Sequence, residues 1–187
     1  MMIDEKNILK VFKELDQIME ERCRQEKLFI FGSAALISMG FVGKDRMTED
    51  VDVVKPLFDK EMIEVVAHVG QKFGLKTRWL NSDGGKVFLK DIPLGWEARV
   101  VEVYKGTSLN IFSLGRTDLI CTKLDAFCDR QLMTDQQDLL ALKPSTEEIE
   151  HASQWILSRG HIAEEVIKDV KLEIGKLIKN RGRGFER

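Results

Sequence analysis

The sequence is short of the residues that build metal clusters and covalent frameworks. Its three cysteines, Cys23, Cys121 and Cys128, are odd in number and form no CxxC pair. That excludes a disulfide framework and the common structural zinc sites, and leaves reduced thiols on helices of a cytosolic protein as the expectation. The three histidines, His68, His151 and His161, are scattered without ligand spacing, and no Ser-His-Asp set can be assembled from them. No apolar run approaches the roughly 20 residues that a membrane span needs. The opening MMIDEKNILK carries Asp4 and Glu5 and is amphipathic, unlike a signal peptide, so the expectation is a soluble, cytoplasmic chain with no membrane partner. A formal net charge of -2 supplies no overall basic field to advertise nucleic-acid binding. Internal repeats and low-complexity segments are absent as well. What remains is a chain of 187 residues, 43% hydrophobic and 32% charged, with room for one core and a small second lobe.

Periodicity organises that chain. Across residues 4–26, Ile8, Val11, Phe12, Leu15, Ile18 and Met19 recur at helical spacing and predict an amphipathic helix. The apolar run Lys27 to Phe31 stops abruptly at Gly32, as a buried strand entering a turn does. A short helix over 33–39 follows, broken by Gly40 and Gly43. Asp50 to Val54 alternates acidic and apolar residues and predicts a two-faced strand ended by Pro56. Residues 59–73 predict a helix stopped by Gly74. Strand-like runs follow at 75–80, 86–90, 99–104 and 109–112, with Asn81-Ser82-Asp83-Gly84-Gly85 as a turn between the first two. After Gly115 the pattern is helical, with candidates at 117–130, 134–142, 146–158 and 161–179. The expected fold class is α+β. Residues 1–115 form a mixed β-sheet flanked by helices. Residues 116–187 form a C-terminal helical segment packed with that core as one unit. Trp79, Trp96 and Trp155 are expected in the core, and the arginine-bearing tail from Lys179 is expected to be frayed and solvated.

Residues 29–54, FIFGSAALISMGFVGKDRMTEDVDVV, carry the chemistry. A strand feeding Gly32-Ser33 and then a helix aims backbone N–H groups at one spot, a setting that favours phosphate. Gly32 permits close backbone approach and Ser33 adds a hydroxyl. Alone, such a turn is more often just a helix start. Asp50 and Asp52, two apart on a strand, emerge on one face. Adjacent carboxylates repel unless a cation or proton lies between them, and hard oxygen ligands suit Mg²⁺. The bland alternative is a solvated strand edge; the turn upstream favours the site.

Gly32-Ser33-Ala34-Ala35-Leu36 followed by Arg46-Met47-Thr48-Glu49-Asp50-Val51-Asp52 resembles the signature of the DNA polymerase β-type nucleotidyltransferase superfamily. More narrowly, it resembles the bacterial branch that includes the toxins of AbiE-type abortive-infection systems. The gap between turn and carboxylates is longer than in many members. The likeness continues through Leu94-Gly95-Trp96-Glu97-Ala98-Arg99 and residues 113–142, on Asp118, Lys123-Leu124-Asp125-Ala126, Arg130, Asp135 and Asp138. It implies a nucleotidyltransferase-like fold and transfer of NMP from an NTP to tRNA or protein. It further implies Mg²⁺ on Asp50 and Asp52, phosphate contacts from Gly32, Ser33 and Lys123, and a toxin role with a cognate antitoxin. In that pattern Asp138 either positions Lys123 or acts directly.

Residue spacing bears on Lys123 independently. Leu119, Lys123 and Phe127 are four apart, so the lysine lies on the apolar stripe of its helix and needs either an ion pair with Asp135 or Asp138 or an anionic ligand. The third metal carboxylate is the thin part of the pattern. Glu102 is the best candidate and Glu97 the alternative, and alternation predicts Glu102 on one face with Val100 and Tyr104. Two other classes compete with the enzyme. A catalytically inactive nucleotide-binding or protein-interaction module of the same fold explains a missing third carboxylate. A metal-dependent nuclease explains the acidic pair but not the Gly-Ser turn.

Overall fold

A computed structural model describes residues 1–84 and 92–183. The chain divides into two compact units, Met1–Gly115 and Arg116–Arg187.

The first unit is a mixed sheet with helices. In chain order it runs α1 (Ile8–Glu21), β1 (Glu26–Phe31), α2 (Gly32–Ser38), β2 (Val51–Lys55), α3 (Lys60–Phe73), β3 (Leu80–Asn81), a 3-10 turn (Trp96–Arg99), β4 (Val101–Lys105) and β5 (Leu109–Ser113). The described strands are ordered β3-β2-β1-β5-β4. β1 is antiparallel to β2 and parallel to β5, β2 is parallel to β3, and β4 and β5 form an antiparallel hairpin. One sheet face carries Leu28, Ile30, Val53, Leu109 and Ile111, all with no exposed surface. The other carries Phe29, Phe31, Asp52, Lys55 and Phe112, cross-strand neighbours in register. On that face Phe29 stacks on Phe112 with ring centroids 5.6 Å apart, and Lys55 lies 4.8 Å from the Phe29 centroid.

Helix α1 is amphipathic as its periodicity predicts. Val11, Phe12, Leu15 and Met19 are fully buried and Ile8 nearly so, each contributing roughly 1.5–3 kcal/mol of apolar burial. The helix is shorter than its pattern because Cys23 takes a left-handed φ of 52° and ends it; Cys23 therefore sits in an exposed turn rather than on a helix. α3 begins where Asp59 accepts from the Met62 N–H at 2.8 Å and stops at Gly74, φ 62°.

Asp16, buried on α1, ties that helix to the β4–β5 hairpin. Its carboxylate accepts the N–H groups of Thr107, Ser108 and Leu109 at 3.1, 2.8 and 2.7 Å, and the Tyr104 hydroxyl at 3.3 Å. These backbone donors satisfy a charge whose burial would otherwise be costly. Gly106 completes the fit, since a Cβ there would fall 2.3 Å from the Asp16 carboxylate.

Two strand ranges and one expected side-chain face change. The run 75–80 is mostly a turn, closed by Trp79 N–H to Lys76 C=O at 3.1 Å, and only Leu80–Asn81 pair as a strand. Residues 86–90 lie outside the described residues. Arg99 closes a 3-10 turn instead of opening a strand, because Gly95, φ 77°, redirects the chain. β4 also holds a register shift between Glu102 and Tyr104. Glu102 pairs with Phe112 and Tyr104 with Ile111, so the two side chains lie on opposite faces and not on one.

The second unit is helical: α4 (Arg116–Arg130), α5 (Met133–Ala141), α6 (Thr146–Arg159) and α7 (Glu164–Arg183). α6 opens on a reciprocal capping box between Ser145 and Glu148 and closes at Gly160, φ 67°. Arg116 donates to the carbonyls of Leu142 and Lys143 at 2.8 and 2.9 Å and pairs with Glu148, which holds the Glu148 carboxyl below its ordinary range. No helix among the described residues is long and apolar enough to cross a membrane.

Tyr104 is the only tyrosine in the chain, so its phenolate titrates without interference. Burial first, and then the Asp16 charge, push its pKa from 10.0 up to about 12. The folded state thus retains a proton that the unfolded chain releases. The associated stability is intact below pH 10 and is lost as pH rises toward 12. Ultraviolet titration of the native protein is expected to show the phenolate midpoint near 12, and Tyr104→Phe to remove that part of the alkaline loss; a native midpoint at 10 would contradict this account.

Candidate active site

The site grows from the junction of β1 and α2. Phe31 is the last strand residue, and Gly32 turns the chain with φ 71°. That left-handed conformation costs an L-residue about 1–2 kcal/mol. The turn also lies close to the acidic strand. Phe31 is the register partner of Asp52 on β2, so the backbone of residue 32 passes close to that carboxylate, and a Cβ at Gly32 would stand 3.4 Å from Asp52 Oδ2. The Gly-Ser turn and the acidic strand are one piece of geometry.

Asp50 immediately precedes β2 and Asp52 lies within it. Both are half-buried, while Val51 and Val53 have no exposed surface. The alternation holds the two carboxylates on one side with the valines anchored beneath. Neighbours fix each acid. Thr48 Oγ1 donates to Asp50 Oδ1 at 3.4 Å and Asn81 Nδ2 to Asp52 Oδ1 at 3.4 Å. The Asn81 contact follows from the parallel pairing of β2 with β3, where Asp52 and Asn81 are register partners. In sequence Asn81 looks only like the start of a turn, so no local signal reveals it. Arg46 joins from the preceding loop, its Nη2 donating to Ser33 Oγ at 2.8 Å. Lys76 pairs with Glu49; that contact, and then the Asp50 charge, hold its ammonium pKa above the ordinary value.

Glu102 is not brought to this cluster. It is exposed on β4, at the opposite edge of the strand order, with β5 and β1 between β4 and β2. At about 4.8 Å per strand, its backbone stands roughly 14 Å from that of β2. Glu97 on the 3-10 turn accepts from Lys55 Nζ at 2.7 Å. Among the described residues no group of three or more His, Cys, Asp or Glu side chains is arranged to hold a metal ion. Among the described residues, Asp50 and Asp52 are the carboxylates that could serve one here.

The remaining predicted residues belong to the second unit. Lys123 on α4 is 6% exposed and donates to Asp138 Oδ2 on α5 at 2.7 Å and to Asp135 Oδ1 at 3.4 Å. Arg130 donates to Asp135 Oδ2 at 2.7 Å. Lys123, Arg130, Asp135 and Asp138 thus form an ion-pair cluster that staples α4 to α5. The ion pair expected from helical spacing involves both aspartates. Its energetic weight lies in burial, because removing one member takes an opposite charge away from a buried group.

A left-handed Gly-Ser turn packed against an Asp-x-Asp strand on a mixed sheet defines a nucleotidyltransferase-type site. The family model described as nucleotidyltransferase of unknown function (DUF6036) matches residues 6–151, and the chain belongs to that family. The matched span contains the turn, both site aspartates, Lys123 and Asp138. No curated protein matches the chain, and no solved structure does.

Two substitutions probe these geometries. Gly32→Ala is expected to lower unfolding free energy by about 1–2 kcal/mol through its φ alone, read from urea denaturation; an unchanged midpoint would show that the turn accepts a side chain. Lys123→Ala, which removes the buried cation beside Asp138, is expected to cost about 3–5 kcal/mol in the same measurement. A loss below about 1 kcal/mol would instead assign the pair the modest weight of an exposed bridge.

Proposed function

We propose that this protein transfers a nucleotidyl group from an NTP to an acceptor hydroxyl, with Mg²⁺ held by Asp50 and Asp52. The observation that carries this reading is the approach of the left-handed Gly32 turn to Asp52, which sets the Gly-Ser turn beside the Asp-x-Asp strand. The donor set suits the ion, since Mg²⁺ is commonly bound by one or two carboxylates with waters and substrate phosphates completing its octahedron. A bound Mg²⁺ supplies charge neutralisation at the phosphates and lowers the pKa of a coordinated hydroxyl.

The chain's residues then perform positioning and electrostatics, the main sources of catalysis in phosphoryl-group chemistry. Gly32 lets the backbone reach the β- and γ-phosphates and Ser33 offers its hydroxyl to them. Thr48 and Asn81 keep Asp50 and Asp52 in place. The acceptor oxygen attacks the α-phosphorus as the bond to the β-phosphate bridge breaks and pyrophosphate departs. For Lys123 we adopt the role that family likeness implies, contact with the triphosphate, with Asp138 as its positioning partner. The AbiE-like motifs further support tRNA or protein as the acceptor and a toxin function restrained by a cognate antitoxin.

A second reading is favoured by one specific observation. With Glu102 at the far sheet edge and Glu97 tied to Lys55, Asp50 and Asp52 are the candidate metal carboxylates among the described residues, where three would make a fuller metal site. A module that binds nucleotide without turnover fits that arrangement. The deciding experiment incubates the protein with each labelled NTP, Mg²⁺, total tRNA and cell lysate. Transfer of label to RNA or protein, reduced at least about a hundredfold by Asp50→Asn or Asp52→Asn, is the expected result. Mg²⁺-dependent NTP binding with no labelled product would favour the inactive module, and neither binding nor transfer would remove both.

A further inference from the structure

We infer that Arg46 is the phosphate-tail residue of this site: it selects a polyphosphate ligand and orients Ser33 toward it. This rests on the nucleotidyl-transfer reading above and names the residue that recognises the leaving pyrophosphate. The Gly-Ser turn and Asp-x-Asp strand supply a hydroxyl and two anions. A magnesium-bound triphosphate still carries net negative charge, and Asp50 and Asp52 add to it, so the tail must meet a cation within this cluster.

Arg46 meets three requirements for that cation. First, its guanidinium touches the phosphate-facing turn, with Nη2 donating to Ser33 Oγ at 2.8 Å. An Oγ that accepts from Arg46 turns its own hydrogen away from the guanidinium, so the arginine sets the direction in which Ser33 donates. Second, its chemistry matches, because a planar fork of N–H donors binds phosphate oxygens in pairs where an ammonium acts as a point charge.

Third, its backbone is held. The Arg46 N–H donates to the Gly43 carbonyl at 3.0 Å, and its Nη1 donates to the Met47 carbonyl at 2.8 Å. Two residues on, Thr48 forms an isolated antiparallel bridge with Ile3, through N–H to carbonyl bonds of 2.8 and 2.9 Å. Ile3 is 1% exposed, which anchors that bridge in the core. The N-terminal segment thus pins the loop that delivers Arg46 at one end and Asp50 at the other. Lys76, the neighbouring cation, is exposed and engaged with Glu49, and lacks contact with the turn in the described bonds.

The test separates a phosphate contact from a merely structural latch by varying the length of the phosphate tail. Wild type, Arg46→Ala, Arg46→Lys and Arg46→Gln are titrated by calorimetry with each NTP, its NMP and inorganic tripolyphosphate, all with Mg²⁺. Arg46→Ala is expected to weaken NTP and tripolyphosphate at least about tenfold while NMP affinity stays within about twofold, with Arg46→Lys intermediate. Circular dichroism checks folding, and if the alanine variant unfolds, the lysine and glutamine variants carry the same comparison. Equal losses for NTP and NMP, or no loss for either, would overturn the assignment alone. A wild type that binds neither NTP nor tripolyphosphate would overturn the nucleotidyl-transfer reading and this assignment with it.

Discussion

The approach of Gly32 to Asp52 is the constraint on which the rest of the site depends. β1 can turn into α2 at that point only through a left-handed residue, and the register of β1 with β2 sets Asp52 directly beside the turn. A Cβ would meet the carboxylate at 3.4 Å. Glycine is therefore favoured by backbone angle, while a Cβ there would make only ordinary van der Waals contact with the carboxylate. Ser33 follows it into position, Arg46 reaches Ser33, and Asn81 reaches Asp52 because β3 pairs alongside. The cluster is assembled by sheet register, with the Ile3–Thr48 bridge holding the one long loop that feeds it.

Several buried charges elsewhere are answered by donors or by an opposite charge. Asp16 is answered by three backbone N–H groups and the Tyr104 hydroxyl, which locks the β4–β5 hairpin to α1. Lys123 is answered by Asp138 and Asp135, and Asp135 by Arg130. Asp125 accepts from Arg159 at 2.7 Å and stands 2.8 Å from His161 Nε2. Low dielectric makes such groups costly when unpaired and strongly directional when paired, so they fix register between helices that apolar contacts alone would leave free to slide.

The helices and the site motif were largely legible in the chain. Val11, Phe12, Leu15 and Met19 announce α1, Gly74 and Gly160 announce helix ends, and Gly32-Ser33 with Asp50-x-Asp52 announces the nucleotidyltransferase class that the family match supports. Less legible were the short strands. Leu75–Leu80 has strand composition, yet Trp79 turns under α3 and its indole donates to the Val66 carbonyl at 2.9 Å, leaving two residues to pair. The β4 register shift reversed the face of Tyr104 relative to Glu102. A bulge needs no signature residue, because it answers a partner strand distant in sequence.

The sequence by itself determined which chemistry this protein carries: a glycine turn, a hydroxyl, two spaced carboxylates and helices whose stripes name their buried faces. These are local properties, set by φ, by periods of 2 and 3.6 residues, and by the ligand preferences of oxygen. Only the tertiary structure decided which acids share a site. Asp52 meets Gly32 and Asn81, while Glu102, equally acidic and on a strand of the same sheet, is placed at the far edge. The reason is that strand order and register arise from packing and pairing across long sequence separations, which no single segment encodes.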